Sequence, residues 1–454
     1  MPPELSGVYG RLHESQQSIE TGVELVLEGN EMAGRNELAA ATTRLFVAAR
    51  ECAETPGCDI DLFGDAMLQL VAERRRSPSV ADPPGDPSSI GDPLPAGAEA
   101  DPPLPLDGDP LASADSLLTG AALRDLIPQN RWVRAALNDW LTWNRPALVE
   151  AFRNYQFLRP SVAPIYAEAG LPEALLFAMM AKESGAKVHA YSRAGAAGPL
   201  QFMGRTAQQY GLGSDDGFDL RLDPAASTGA NARYMKRLLR TFGGNLELAL
   251  AAYNLGDTRL RRLLGKHPGA GFWDPRVFHA LPWETRNYVP KVLAVAWLFL
   301  HPDEYSLELA SVEASATSIV LQEDTSLGEL SICLGQVDSA DGWFRTLRNL
   351  NPRISPSRRA LAGTRLVLPT ALVSTYGQRC VGDSPLIALA RELHDADYPE
   401  TPELMPYTVR RGDTLGAIAT RHRCSLSELA RLNGIMSPNY VIHVGQKLTV
   451  PARG

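Results

Sequence analysis

Apolar positions along the 454-residue chain recur with helical spacing in two regions separated by a long polar break. In the first region Val23, Leu25, Val26 and Leu27, then Leu45, Phe46 and Val47, then Met67, Leu68, Leu70 and Val71 predict a helical N-terminal region, 1–76, without a motif of evident chemistry. Residues 77–115 then hold ten prolines among Gly, Ser and Asp. Such a stretch cannot bury enough apolar surface to fold and is predicted to be a disordered, acidic linker, stiffened where Pro clusters. From Trp132 to about Tyr305 the pattern becomes helix-rich again, within a domain bounded at 116–305. Leu175 to Ala181 is apolar on every side, as in a helix buried all round, and its last turn would carry Glu183 inward. A second apolar helix, Leu246 to Ala252, ends in Tyr253 and Asn254. Two buried helices that both end in polar side chains predict a shared cleft, because buried polar groups otherwise cost free energy without return. Pro224 to Phe242 reads as an amphipathic helix, Phe218 to Pro224 as a loop, and Pro282 opens the last helix at a first-turn position.

The C-terminal part contains an internal repeat. Tyr407-Thr-Val-Arg-Arg-Gly-Asp-Thr-Leu415, Leu429 to Asn433 and Val444 to Pro451 follow one another in the second copy. Thr325 to Leu330, Leu350-Asn351-Pro352 and Gly363 to Pro369 echo them in the first, where Thr325 stands in place of Asp413 and extra residues from Gln336 to Phe344 intervene. Each copy predicts strand, two short helices, strand. The copies span 318–370 and 405–452, with 371–404 as a linker. The fold class is therefore mainly α, with two small βααβ modules at the C-terminus.

Charge changes this picture little. The net charge of −8 equals the eight acidic residues of 77–115, which has no Lys or Arg, so the remainder is neutral and nucleic acid is not an expected partner. No apolar run is long enough to cross a bilayer. Residues 1–6 have neither a basic nor an apolar leader pattern, so no signal peptide is visible in this numbering. Of the five cysteines, Cys52, Cys58, Cys333, Cys380 and Cys424, the first two are spaced either for a small disulfide loop or for two buried thiols. The spacings predict no metal site, and no cofactor is expected.

The chemistry concentrates at Glu183-Ser184, Ser192 to Met203 and Ala252-Tyr253-Asn254. A neutral carboxylic acid can break a glycosidic bond by protonating the leaving oxygen, and a Glu stays neutral near pH 7 only if its surroundings raise its pKa. Glu183, at the end of an apolar helix, meets that condition.

These residues resemble the lytic transglycosylases with a goose-type-lysozyme-like catalytic domain, most closely the membrane-bound lytic murein transglycosylase D group. The matching positions are Glu183-Ser184, Ser192 with Gly195-Ala196 and Gly198, Gln201, Ala252-Tyr253-Asn254, and Glu284-Thr285 with Tyr288-Val289. Pro199-Leu200, Gly204 and Ala186 depart from the family pattern and touch the cleft walls. The second C-terminal copy resembles the LysM module, which binds N-acetylglucosamine-containing glycans, and the first is a degenerate relative. The resemblance implies a lysozyme-like catalytic domain that cleaves the β-1,4 bond between N-acetylmuramic acid and N-acetylglucosamine in peptidoglycan glycan strands. Glu183 would act as acid and then base, leaving 1,6-anhydro ends. It further implies that Tyr253 hydrogen-bonds Glu183, that Ser192, Gln201 and Asn254 hold the sugar, and that Met203 supplies an apolar wall, with Glu284 and Tyr288 in support. The place of action would be the cell envelope, periplasmic or at the outer membrane. Two alternatives stay open: a lysozyme-type hydrolase using Asp215, Asp216, Asp219 or Asp223 as second carboxylate, and a non-catalytic wall-binding protein.

Overall fold

The computed structural model describes residues 3–27, 30–76, 126, 129–192, 194–307, 309, 314–337, 339, 341–356, 358–382, 384–397, 404–422, 426–435 and 440–451. The linker expected at 77–115 lies outside them. The chain divides into two compact units, Met1–Ser315 and Ala316–Gly454.

The first unit opens with three helices, α1 (Pro3–Leu27), α2 (Glu31–Glu54) and α3 (Ile60–Arg76). Leu12, Ile19, Leu38, Leu45, Phe63 and Met67 form their shared core. Helices α1 and α2 approach closely where Gly22 meets Gly34; a Cβ on Gly34 would stand 2.6 Å from the Gly22 carbonyl oxygen. Cys52 and Cys58 form a disulfide that closes the α2–α3 turn, deciding between the two readings of that spacing.

The helical body follows: α4 (Arg131–Leu141), α5 (Arg145–Glu168), α6 (Glu173–Glu183), α7 (Gly204–Gln209), a hairpin of β1 (Ser214–Asp215) and β2 (Phe218–Asp219), then α8 (Pro224–Thr241), α9 (Leu246–Leu255), α10 (Asp257–Gly265), α11 (Pro275–Phe278) and α12 (Trp283–Leu300). Residues 174–181 of α6 are all buried, so the helix is apolar all round because it runs through the middle of the core. Each large apolar side chain buried there contributes about 1.5–3 kcal/mol. Helix α12 packs against α6, α4 and α9. Its N-cap is Pro282, one position earlier than the first-turn placement expected from sequence. Asp223 caps α8 and Asn245 caps α9 through side-chain oxygens that accept backbone N–H groups, which is why those two helices start where they do.

In the second unit, β3 (Ala316–Val320), α13 (Leu327–Leu334), α14 (Phe344–Leu350) and β4 (Arg365–Pro369) form one strand–helix–helix–strand module, with Ala316 opposite Pro369 in the antiparallel pair. Beyond it the segment expected to be a linker, 371–404, instead carries α15 (Val373–Arg379) and α16 (Pro385–Asp397), both packed on α13. Cys333 and Cys380 join in a disulfide, Ser326 and His394 hydrogen-bond at 3.1 Å, and Arg359 bridges Glu329 to Asp395. The apolar side of α16 (Ile387 and Ala390 are buried) accounts for the docking, and it was masked in the sequence by flanking Pro, Gly and Asp. A second module of the same order follows: β5 (Leu404–Thr408), α17 (Leu415–Arg421), α18 (Leu426–Leu432) and β6 (Lys447–Pro451), with Leu404 opposite Pro451.

Candidate functional site

Glu183 is the last residue of α6, half-buried, with the polypeptide turning sharply after it through Gly185 (φ 66°) and Ala186 (φ 55°). Two side chains hold this turn. Asn154 donates its amide to the Gly185 carbonyl at 2.8 Å, and Ser184 Oγ donates to the Pro199 carbonyl at 2.8 Å, tying the end of α6 to the loop that follows.

That loop is stapled from within. Ala197 bridges both Tyr191 and Phe202. The Ser192 hydroxyl accepts the Ala196 N–H at 2.9 Å, and Gln201 donates its amide to the carbonyls of Ala190 and Gly198 at 3.1 and 2.9 Å. Arg221 completes the staple by donating to the carbonyls of Gly195 and Phe202 at 2.8 and 3.1 Å, while Asp219 grips its guanidinium. Gly198 has no substitute here. Its φ is +87°, and a Cβ would stand 1.8 Å from the Arg221 carbonyl oxygen. The sequence marks Phe218 to Pro224 as a loop whose acids are candidates and assigns Arg221 no role; the Asp-x-Arg spacing that lets Asp219 hold it is the local signal for it.

Tyr253, at the end of α9, donates to the Leu200 carbonyl at 2.7 Å instead of to Glu183, so its expected bond to the acid is replaced by a bond to the loop. The phenol that does bear on Glu183 comes from α12. Tyr288 Oη is buried and closes no hydrogen bond of ordinary geometry, yet it lies near enough to favour the ionised carboxyl. Donors of this kind are often long in an unliganded site and tighten when substrate binds. Asn254 is held by α12 as well: it donates to Glu284 at 3.2 Å and accepts from Thr285 Oγ1 at 2.7 Å.

The electrostatics follow from this packing. Burial raises the Glu183 carboxyl from the usual 4.5 to about 7, the neighbouring Glu284 adds to the rise, and Lys182 and Tyr288 temper it. Both Tyr253 and Tyr288 are pushed well above the ordinary phenol range, chiefly by burial and then by the Glu183 charge. They stay neutral donors at any working pH. Around this core Met203 is exposed at the start of α7, as are Ser192 and Glu284, while Gln201 and Asn254 are half-buried. Thus Glu183, Tyr253 and Tyr288 form one cluster, with Asn254 and Glu284 beside it, and Ser192 and Gln201 shape the loop that walls it.

The four acids considered as a second carboxylate lie in or next to the 214–219 hairpin. Arg221 holds Asp219 well ionised, and Asp223 is occupied in capping α8. Asp215 and Asp216 are exposed in the hairpin. Among the described residues no group of three or more His, Cys, Asp or Glu is arranged to hold a metal ion.

Comparison with known proteins identifies two domains. Residues 165–274 match the transglycosylase SLT domain, and residues 407–451 match the LysM domain. The membrane-bound lytic murein transglycosylase D of Escherichia coli (strain K12) is 29% identical over 276 residues, 60% of this chain and 58% of that protein. The soluble lytic murein transglycosylase of the same strain is 32% identical over 130 residues, 27% of this chain and 20% of that one. The lipoprotein YgeR, also from that strain, is 64% identical over 42 residues, 9% of this chain and 16% of its own. The chain thus spans less than two thirds of the length of these relatives. With Glu183, Tyr253 and Asn254 inside the first matched segment, Glu284 and Tyr288 beyond its end, and the second βααβ module forming the other, the chain carries a transglycosylase SLT domain followed by a LysM domain and is homologous to the lytic murein transglycosylases.

Proposed function

We propose that this protein is a peptidoglycan lytic transglycosylase that cleaves the β-1,4 bond between N-acetylmuramic acid and N-acetylglucosamine. The observation that carries the reading is the Glu183 carboxyl, poised at about 7 by burial at the end of an all-apolar helix. A group that is half-protonated near neutrality can serve as acid and as base in one cycle. Protonated Glu183 gives its proton to the glycosidic oxygen as the bond to C1 of the muramic acid breaks, and the N-acetylglucosamine side departs with that proton. The carboxylate then takes the proton of the 6-hydroxyl as O6 bonds to C1. A 1,6-anhydro end results, Glu183 is again protonated, and no water is consumed. Tyr288 and Tyr253 keep the cluster dry and oriented, Met203 offers an exposed apolar wall, and Ser192, Gln201 and Asn254 border the sugar.

A lysozyme-type reading has one observation in its favour: Glu284 lies within electrostatic reach of Glu183. Against it, Glu284 is exposed and its carboxylate accepts from Asn254, which fits a role in holding α9 to α12 better than activation of water. A wall-binding protein without turnover would have no use for a carboxyl raised to about 7. Digestion of purified sacculi discriminates among the three. Anhydro-muropeptides, lighter by one water, are expected; reducing-end muramic acid as main product would make the enzyme a hydrolase and direct attention to Glu284, and no release at all would leave only the binding role.

The LysM domain, in the same reading, holds the glycan, and the place of action is the cell envelope, where that polymer lies. Among the described residues no helix is long and apolar enough to cross a membrane.

A further inference from the structure

The N-terminal helices meet the site through the first two turns of α12, which present two opposite sides. Glu284 and Tyr288, one turn apart, face Asn254 and Glu183. Trp283 and Arg286, three residues apart, face α2 and α3. There the Phe46 ring stacks on Trp283 with centroids 5.7 Å apart and the planes at 22°. The Arg286 guanidinium lies 4.2 Å over the same Phe46 ring and 5.7 Å from Trp283, and it reaches Met67 Sδ at 3.6 Å. Arg286 is 2% exposed, among the most deeply buried large side chains of the chain. A charge so deep is expensive unless it is engaged, and a planar guanidinium laid on the Phe46 face beside Trp283 has few alternative positions. A second tie runs parallel to it: Arg131 pairs with Asp61 and Asp65 of α3 at 2.9 and 3.2 Å, and its neighbour Trp132 packs on both Phe278 and the α1–α3 core. The imidazole of His279, between these cations, is held neutral by burial and by Arg286 and Arg131, so it adds no third charge at the seam.

We propose that helices α1–α3 are a working part of the cleavage site: Phe46, through Arg286 and Trp283, is a positioning residue that fixes the first turn of α12 and hence the placement of Tyr288 and Glu284 beside Glu183. This rests on the transglycosylase reading above. The contact lies on the far side of the turn from the carboxyl, so Phe46 touches no substrate. A loosened first turn would move two groups that adjust the Glu183 proton affinity beside the larger effect of burial, and displacement on the order of an ångström at a catalytic site can cost up to about 100-fold in rate.

The test uses the full chain with Phe46→Ala, the ring-preserving Phe46→Tyr, and Arg286→Lys, which keeps the charge and loses the planar stack. Phe46 is half-buried, so its truncation should leave a folded protein. Two readouts are taken: kcat and KM on a soluble glycan fragment, and titration of the Glu183 carboxyl by carbon-13 NMR. Phe46→Ala and Arg286→Lys are expected to lower kcat about 10-fold or more with KM nearly unchanged and to displace the Glu183 titration midpoint, while Phe46→Tyr stays near wild type. Lower melting temperatures with unaltered kcat and an unmoved midpoint would overturn the proposal and reduce α1–α3 to structural support. The titration decides the matter even if the wild type releases no anhydro product, an outcome that would sink the transglycosylase reading and leave the clamp standing or falling by itself.

Discussion

Glu183 shows how one residue can be expensive to the fold and useful to the reaction. Its carboxyl rises from 4.5 to about 7 chiefly through burial. A folded-state value above the unfolded one means that the native protein holds a proton which the unfolded chain has already released. Stability from this group is therefore complete below pH 4.5 and declines as pH rises toward 7, by up to about 3 kcal/mol. Glu183→Gln removes that dependence, since the amide is neutral at every pH. The variant is expected to melt close to wild type at pH 4 and measurably above it at pH 8, and to lose activity by at least about 100-fold. Equal melting temperatures at pH 8 would mean that the carboxyl is not held in a desolvated site.

At the scale of elements, most of the site is built by turns and helix ends fastened to one another. Ser184 ties α6 to the loop at Pro199, Tyr253 ties α9 to the same loop at Leu200, and Arg221 ties its two sides together. In the second unit the comparable fastening is the Cys333–Cys380 disulfide, which spans a sequence separation of 47 and holds α15 against α13. Cross-linking a loop of that length stabilises by about 4 kcal/mol in the chain-entropy picture. A Cys333→Ser, Cys380→Ser double variant should accordingly unfold the first βααβ module at clearly lower urea concentration. Its turnover of a soluble glycan fragment should match wild type, because nothing in the Glu183 cluster depends on the bond. An unchanged urea midpoint would show that the ion pairs of Arg359 with Glu329 and Asp395 suffice to dock α16 and its neighbours.

At the scale of the whole molecule, the LysM domain begins after α16 ends at Asp397, so a chain ending there keeps the first module with its added helices. A tethered glycan binder raises the local concentration of an insoluble substrate and adds no contact at the scissile bond. Truncation after Asp397 is expected to reduce sacculus pull-down and sacculus digestion together, leaving turnover of a short soluble glycan near the full-length value. An equal loss on both substrates would show that the domain supports the catalytic fold instead of delivering it.

Periodicity and local motif were enough to read several parts of this protein from its residues. The all-apolar run before Glu183 is a helix through the core, Pro224 opens α8, and the repeated Leu-Asn and Gly-x-x-Leu-x-x-Pro signals of the C-terminus mark two βααβ modules, because each of these depends on spacing within one segment. The two helices between the modules were read as linker because their flanks carry Pro, Gly and Asp, and only the α13 surface supplies the burial that makes them worth forming. The resemblance pointed to Tyr253 as the partner of Glu183, whereas Tyr253 bonds Leu200 and Tyr288 bears on the acid, because which hydroxyl meets it depends on how α9 and α12 cross α6. The Asp219–Arg221 pair is local, but the bonds of Arg221 to Gly195 and Phe202 and the Phe46–Arg286 contact join positions far apart along the chain, so no local pattern could announce them. Residue spacing determined which elements form and where the acid sits. The packing of those elements alone decided what surrounds it, since burial and field are properties of neighbours brought together by the fold.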